Sequence, residues 1–166
     1  LGIATRIEGL SLIVFYSLGA GTSIFTGQNF GAGNFGRIAG VTRLASEYCL
    51  AAGGIMAMIL FAFAEKIPLL FTTHPDVITY TAEYLHIVPI SFGAMGVLII
   101  SNASLNAMGR PLPATILVLL RTFVLYVPLA YFGGQYYGFS GIVMAMACSN
   151  VMIGAISYLW NKKAAA

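Results

Sequence analysis

Charged residues in this chain gather at the ends of long apolar stretches. No charge lies between Glu8 and Gln28, nor between Glu47 and the Glu65-Lys66 pair. A third apolar stretch separates His86 from Arg110, and a fourth runs from the Pro111/Pro113 pair to near Phe132. The glycines from Gly133 to Gly138 interrupt the pattern, and a fifth stretch continues to Trp160. A helix needs ~20 mostly apolar residues to cross ~30 Å of hydrocarbon. The pattern therefore predicts five spans, at about residues 8–27, 46–64, 84–108, 112–132 and 138–160. Barrel strands would alternate polar and apolar positions over ~10 residues. "GIMAMILFAFA" and "GIVMAMACSNVMIGAISYLW" are continuously apolar instead. In lipid each backbone group must pair within its own segment, which selects helices. The predicted fold class is all-α, a polytopic transmembrane helix bundle.

Composition agrees. Of 166 residues, 59% are apolar and only 8% charged, with mean hydropathy +0.89. Soluble domains carry about 25% charged residues, so this chain lacks the ionic surface that water requires. Cys49 and Cys148 stand far apart inside apolar stretches, without a C-x-x-C or a His/Cys cluster. Both are expected to be small buried hydrophobes, and no metal site is expected. His74 and His86 have no partner at metal-ligand spacing. His74-Pro75-Asp76 has the form of a helix start, with proline at the first helical position.

Lys and Arg in short connections set the orientation. Arg37 and Arg43 follow the first span, Arg110 the third, and Lys162-Lys163 the fifth; Arg6 and Lys66 lie opposite. The carboxyl terminus is therefore expected on the cytoplasmic side of the plasma (inner) membrane, and residue 1 outside. The chain opens at Leu1 in what reads as a helix already under way. An odd number of spans entered from outside suits a piece of a longer bundle. Residues 164–166 are expected to be a tail.

"GQNFGAGNFGRI" contains G-x-G-x-x-G at Gly31, Gly33 and Gly36. A dinucleotide fingerprint needs a strand before the glycines and an acid ~20 residues after them. Here a membrane-length stretch precedes them, and Leu50 to Gly54 holds no acid. The glycines instead predict a tight cytoplasmic connection, with Arg37 and Arg43 anchoring it.

The same stretch resembles the Q-N-x-G-A-G loop of the multidrug and toxic compound extrusion (MATE) family, on Gln28, Asn29, Gly31 and Gly33. Three further stretches resemble the family in the same order: "ATRIEGL", "LFTTHPDVITYTAEYL" and "NAMGRPLPATILVLLRTFVLYVPLAYF". The resemblance implies helices eight to twelve of a twelve-helix transporter, so that residues 1–163 form most of its carboxyl-terminal lobe. The amino-terminal lobe and the seventh helix would then be partners missing from this chain. It also implies secondary active efflux of amphipathic or cationic compounds against Na⁺ or H⁺, with no cofactor and no nucleic-acid partner. Relatives that move lipid-linked precursors stay open as an alternative. So do a non-transporting membrane subunit and an intramembrane enzyme, although a rhomboid-like protease needs a His at bundle depth and His86 sits at a span's edge. Some branches place a cation-binding acid on the tenth helix. The stretch from Ile87 to Gly109 has no Asp or Glu, which shifts coupling toward the missing lobe.

Ionisable residues within spans are functional candidates by default. Arg121 lies roughly 16 Å of helical rise beyond Arg110, near mid-membrane. It either faces a cavity, holding substrate or biasing a nearby acid, or braces the bundle by bonding carbonyls freed at a broken helix. Asn102 and Asn106 share one helix face, to line a polar path or to bond across an interface. Glu8 is either an interfacial charge or a lumen residue, and Asn150 is a bundle contact. Pro128 predicts a kink in the fourth span, as a hinge or as a static bend.

Overall fold

The computed structural model describes residues 2–164, with side chains as far as Trp160. Leu1 and the last two residues of the expected tail lie outside the described residues, as do the side chains of Lys162 and Lys163. Helix α1 spans Gly2–Gly31, α2 Phe35–Ala62, and a single turn α3 Lys66–Leu69. Helix α4, Pro75–Ile87, starts with Pro75 at its first position after His74. It passes through a 3₁₀ turn at Val88–Ser91 into α5, Phe92–Ala107. Helix α6, Pro111–Leu119, leads through a π-helical segment, Leu120–Tyr126, into α7, Val127–Ala164.

Four helical runs are long and apolar enough to cross a membrane, and the last, Pro111–Trp160, holds 50 residues. At 1.5 Å per residue a straight helix of that length would span ~75 Å, more than twice the hydrocarbon. The chain reverses inside it. Gly138 has φ 61° and ψ −133°, a region essentially reserved for glycine. Gly133 and Gly141 then meet backbone to backbone, since a Cβ on Gly141 would lie 2.0 Å from the Gly133 carbonyl oxygen. The fourth run is thus a hairpin of two antiparallel limbs, which makes five crossings.

The third run is the axis of the bundle. Of its apolar window 67% is buried, against 33%, 22% and 11% for the others. Small residues bring its neighbours close, as lipid-embedded packing favours. A Cβ on Gly53 of α2 would lie 2.3 Å from Gly93 Cα, and one on Gly96 would meet Phe15 and Cys49 at 2.7 and 2.8 Å. Fully buried Phe15, Cys49, Val88, Phe92 and Ile100 fill the space between these backbones.

Three expectations need correction. Arg37 and Arg43 sit inside α2 rather than in a connection, because the helix overruns the hydrocarbon into the polar boundary. Arg43 Nε bonds Glu47 Oε1 at 2.8 Å, an exposed i,i+4 pair of the kind that adds little to stability. Cys49 is buried as expected, but Cys148 is exposed on the surface of α7. A helix apolar on every side gives no phase from which to read its facing.

Gly53 and Gly54 provide a matched test of this packing. Gly53→Ala is expected to lower the unfolding free energy of the detergent-purified protein by about 1–3 kcal/mol through overpacking. Gly54 has open space around it, so Gly54→Ala is expected to be neutral or stabilising by up to about 1 kcal/mol. Thermal or denaturant unfolding of the two variants checks the difference.

Candidate functional site

One end of the lobe is built by two matching turns. At the end of α1, Asn34 N–H donates to Asn29 O (2.8 Å) and Gly33 N–H to Phe30 O (3.1 Å), with Gly33 at φ 72°. At the end of α5, Arg110 N–H donates to Leu105 O (2.9 Å) and Gly109 N–H to Asn106 O (3.0 Å), with Gly109 at φ 69°. Both are Schellman caps, in which a left-handed glycine lets the last carbonyls of a helix be satisfied. Within G-x-G-x-x-G, only Gly33 requires a positive φ. Gly31 closes α1, and Gln28 is exposed. Asn29 is buried and donates from Nδ2 to Phe25 O at 2.9 Å. The motif builds a turn.

The polar residues at membrane depth fall into two groups. The first joins four of the five crossings. Arg121 is the second residue of the π segment, and its Nε donates to Asn150 Oδ1 at 2.8 Å. Asn150 is 1% exposed and donates from Nδ2 to Ser91 Oγ at 3.0 Å. Ser91, fully buried in the 3₁₀ turn, donates in turn to Val88 O at 2.8 Å. Glu8, half-buried on α1, is turned inward, where its Oε2 accepts the Tyr84 hydroxyl at 2.6 Å. The groups that interact electrostatically with the Arg121 guanidinium are Glu8, Tyr16, Tyr126 and Tyr84. Arg121 is held by a side-chain amide of the fifth crossing, where one of the two readings from sequence has it bonding carbonyls freed at a broken helix.

The π segment accounts for that placement. Pro128 lacks the N–H that an α-helix would give to Val124 O, and its ring would crowd that turn. The distortion lies one turn earlier, where the wider i→i+5 winding takes up an additional residue. Val118, Leu119, Phe123 and Val124 are exposed to the surroundings of the lobe, while Arg121, Thr122 and Leu125 are partly buried.

The second group is closer to the end that carries the two turns. Ser104 Oγ of α5 lies 3.5 Å from Thr26 Oγ1 of α1 and 3.3 Å from Thr42 Oγ1 of α2, all three buried. These hydroxyls form the bond across the interface that was an option for Asn102 and Asn106. Asn106 is exposed and Asn102 Oδ1 is buried without a partner, and neither makes a hydrogen bond among the described residues. Serine and threonine hydroxyls usually bond a carbonyl of their own helix, as Ser46 does to Thr42 O at 2.7 Å, so sequence gives little sign of such a triad. At the opposite end Ser140 donates to Glu83, joining the fifth crossing to α4 just beyond the Gly138 reversal.

Fold and site together define a lobe of a polytopic membrane protein, five helical crossings closed around an intramembrane arginine and a carboxylate. The chain belongs to the MatE family, whose sequence model matches residues 1–132. It is 31% identical over 157 residues to the FAD transporter of Shewanella oneidensis, covering 95% of this chain and 35% of that protein. It is 26% identical to the probable multidrug resistance protein YoeA of Bacillus subtilis, over 98% of this chain and 36% of that protein. The crystal structure of the Vibrio cholerae MATE transporter VcmN in the bent form superposes with a TM-score of 0.94 at 26% identity, covering 99% of this chain and 37% of that one. The chain thus spans just over a third of the length of these relatives.

The bond between Glu8 and Tyr84 is open to a double-mutant cycle. Glu8→Gln and Tyr84→Phe, singly and together, are expected to give a coupling of about 0.6–1.7 kcal/mol in unfolding free energy, the range for side-chain bonds within membranes. Additive effects would mean that the contact contributes nothing to stability.

Proposed function

We propose that this chain is most of the carboxyl-terminal lobe of a secondary active transporter that exports amphipathic small molecules in exchange for Na⁺ or H⁺. The observation that carries the reading is Arg121, an arginine at membrane depth with no carboxylate within salt-bridge distance among the described residues. Placing an unpaired charge in hydrocarbon costs several kcal/mol. Such a group is retained where it borders water or a ligand, as in the cavity between two rocking lobes. Glu8, half-buried on α1, lines that cavity, buried Tyr84 and Asn150 hold Glu8 and Arg121 in place, and Asn102, whose oxygen has no partner among the described residues, belongs to the same polar path. The Na⁺ or H⁺ that drives transport is taken up chiefly by the lobe outside this chain.

Pro128 and the π segment before it supply the hinge of the fourth crossing, where helical winding is already relaxed. The positive-inside pattern puts the two Schellman turns and the carboxyl terminus in the cytoplasm and the Gly138 reversal outside, in the inner membrane. The relatives' names span two kinds of cargo, multidrug resistance and FAD, and an exporter of other small molecules is the second reading. A lone guanidinium in the cavity favours it when the cargo is anionic.

The test is gradient-driven efflux from proteoliposomes containing the complete transporter. Flux should need an opposing Na⁺ or H⁺ gradient, and residues 1–166 alone should give none. Arg121→Ala should lower transport by about tenfold or more, the scale of one lost charged hydrogen bond, with little change in membrane abundance. Equal loss of both would make Arg121 a structural residue. Counter-ion-independent flux would exclude antiport. For orientation, a cysteine at Asn34 should react with a membrane-impermeant maleimide only from the inner side.

A further inference from the structure

The transport reading leaves open which chemical group Arg121 receives, and the hydrogen bonds around it narrow the choice. Its guanidinium spends one donor, Nε–H, on Asn150. Among the described residues neither terminal nitrogen makes a hydrogen bond or an ion pair. Asn150 is itself held by Ser91, so the guanidinium is clamped from behind while its outer edge, with four N–H donors, stays open. Glu8 acts on the guanidinium by its charge but makes no salt bridge with it, and its Oε2 accepts the Tyr84 hydroxyl. Two further phenols, Tyr16 on α1 and Tyr126 in the π segment, lie within electrostatic range of the same guanidinium without bonding it, and Tyr16 is 55% exposed. An oriented fork of N–H donors matches the paired oxygens of an oxyanion. Flat phenol rings beside it suit an aromatic body.

Resting on that transport reading, we propose that Arg121 binds the oxyanion end of an amphipathic aromatic substrate. Tyr16 and Tyr126 flank the rings, and Asn150 is the positioning residue that aims the guanidinium. The oxyanion is a phosphate or carboxylate; a free solute or a lipid headgroup would present the same chemistry. Glu8 opposes binding by its charge, so that removing it strengthens the site.

The experiment is equilibrium binding to the complete transporter in detergent, without a gradient, using probes that differ by one phosphate. Flavin mononucleotide should bind about tenfold tighter than riboflavin, the value of one charged hydrogen-bonded contact. In Arg121→Ala, and in Asn150→Asp, which sets a carboxylate beside Nε, the two flavins should bind within about twofold of each other, the preference for charge being gone. Arg121→Lys should keep part of the preference, and Glu8→Gln should widen it. Competition by phosphatidic-acid micelles but not by free phosphate esters would assign the site to a lipid headgroup. Competition by soluble esters alone would assign it to a solute. Equal binding of the two flavins by the unaltered protein would overturn the proposal, as would an Arg121→Lys variant that is well folded and loses both flavins alike. Phosphate-selective binding without counter-ion-dependent flux would sink the transport reading and leave this one standing. Gradient-driven efflux of cations with no phosphate preference would do the reverse.

Discussion

Hydrocarbon offers no hydrogen bonds, and the lobe is organised around that deficit. Every helix end and every polar side chain at depth must find its partner in protein, at a penalty of several kcal/mol where it does not. The two Schellman turns meet the demand with backbone alone, by left-handed glycines that fold the chain back onto its own last carbonyls. In the hairpin of the fourth and fifth crossings, bare glycine backbones press together at Gly133 and Gly141. Deeper in the bundle the same demand is met by side chains in series, from Arg121 to Asn150, Ser91 and the carbonyl of Val88. The groups left over stand out. Among the described residues Asn102 Oδ1 and the terminal nitrogens of Arg121 have no hydrogen-bond partner, and both belong to the cavity proposed for transport.

How much of this was legible depends on what hydrophobicity measures. Charges at Glu47, Glu65 and Arg110 bracket the crossings because they mark where hydrocarbon ends, so the number and rough position of the spans could be read directly. Helix ends could not be, since a helix does not stop where lipid stops; α2 starts at Phe35 and carries Arg37 and Arg43 in its first turns. Facing was hidden for a related reason. In a helix as uniformly apolar as α7, Cys148 could have pointed anywhere. The hydroxyl triad of Thr26, Thr42 and Ser104 was hidden by ambiguity, as each of these residues could equally have bonded its own helix.

For the site, sequence picked out Arg121, Glu8 and Asn150 as expensive residues but could not join them. Arg121 and Asn150 are 29 positions apart in sequence, and it is the reversal at Gly138 that brings Asn150 back to it. Tyr84 gave no warning, because a tyrosine in an apolar stretch is ordinary until its hydroxyl is found on a carboxylate. The family resemblance placed these residues in a transporter lobe, and it was the hydrogen-bond geometry that separated the occupied edge of the guanidinium from the open one.

The π segment has a consequence for the helix beyond it. Wider winding over Leu120–Tyr126 amounts to one residue inserted into an otherwise regular α-helix. Each residue of an α-helix turns the chain by about 100°. Were the segment to tighten into α-helical winding, with the slack displaced elsewhere, the limb from Val127 to Tyr137 would twist by about that angle about its own axis without tilting. Such a screw motion exchanges bilayer-facing and interior-facing side chains while leaving the axis of the helix where it was.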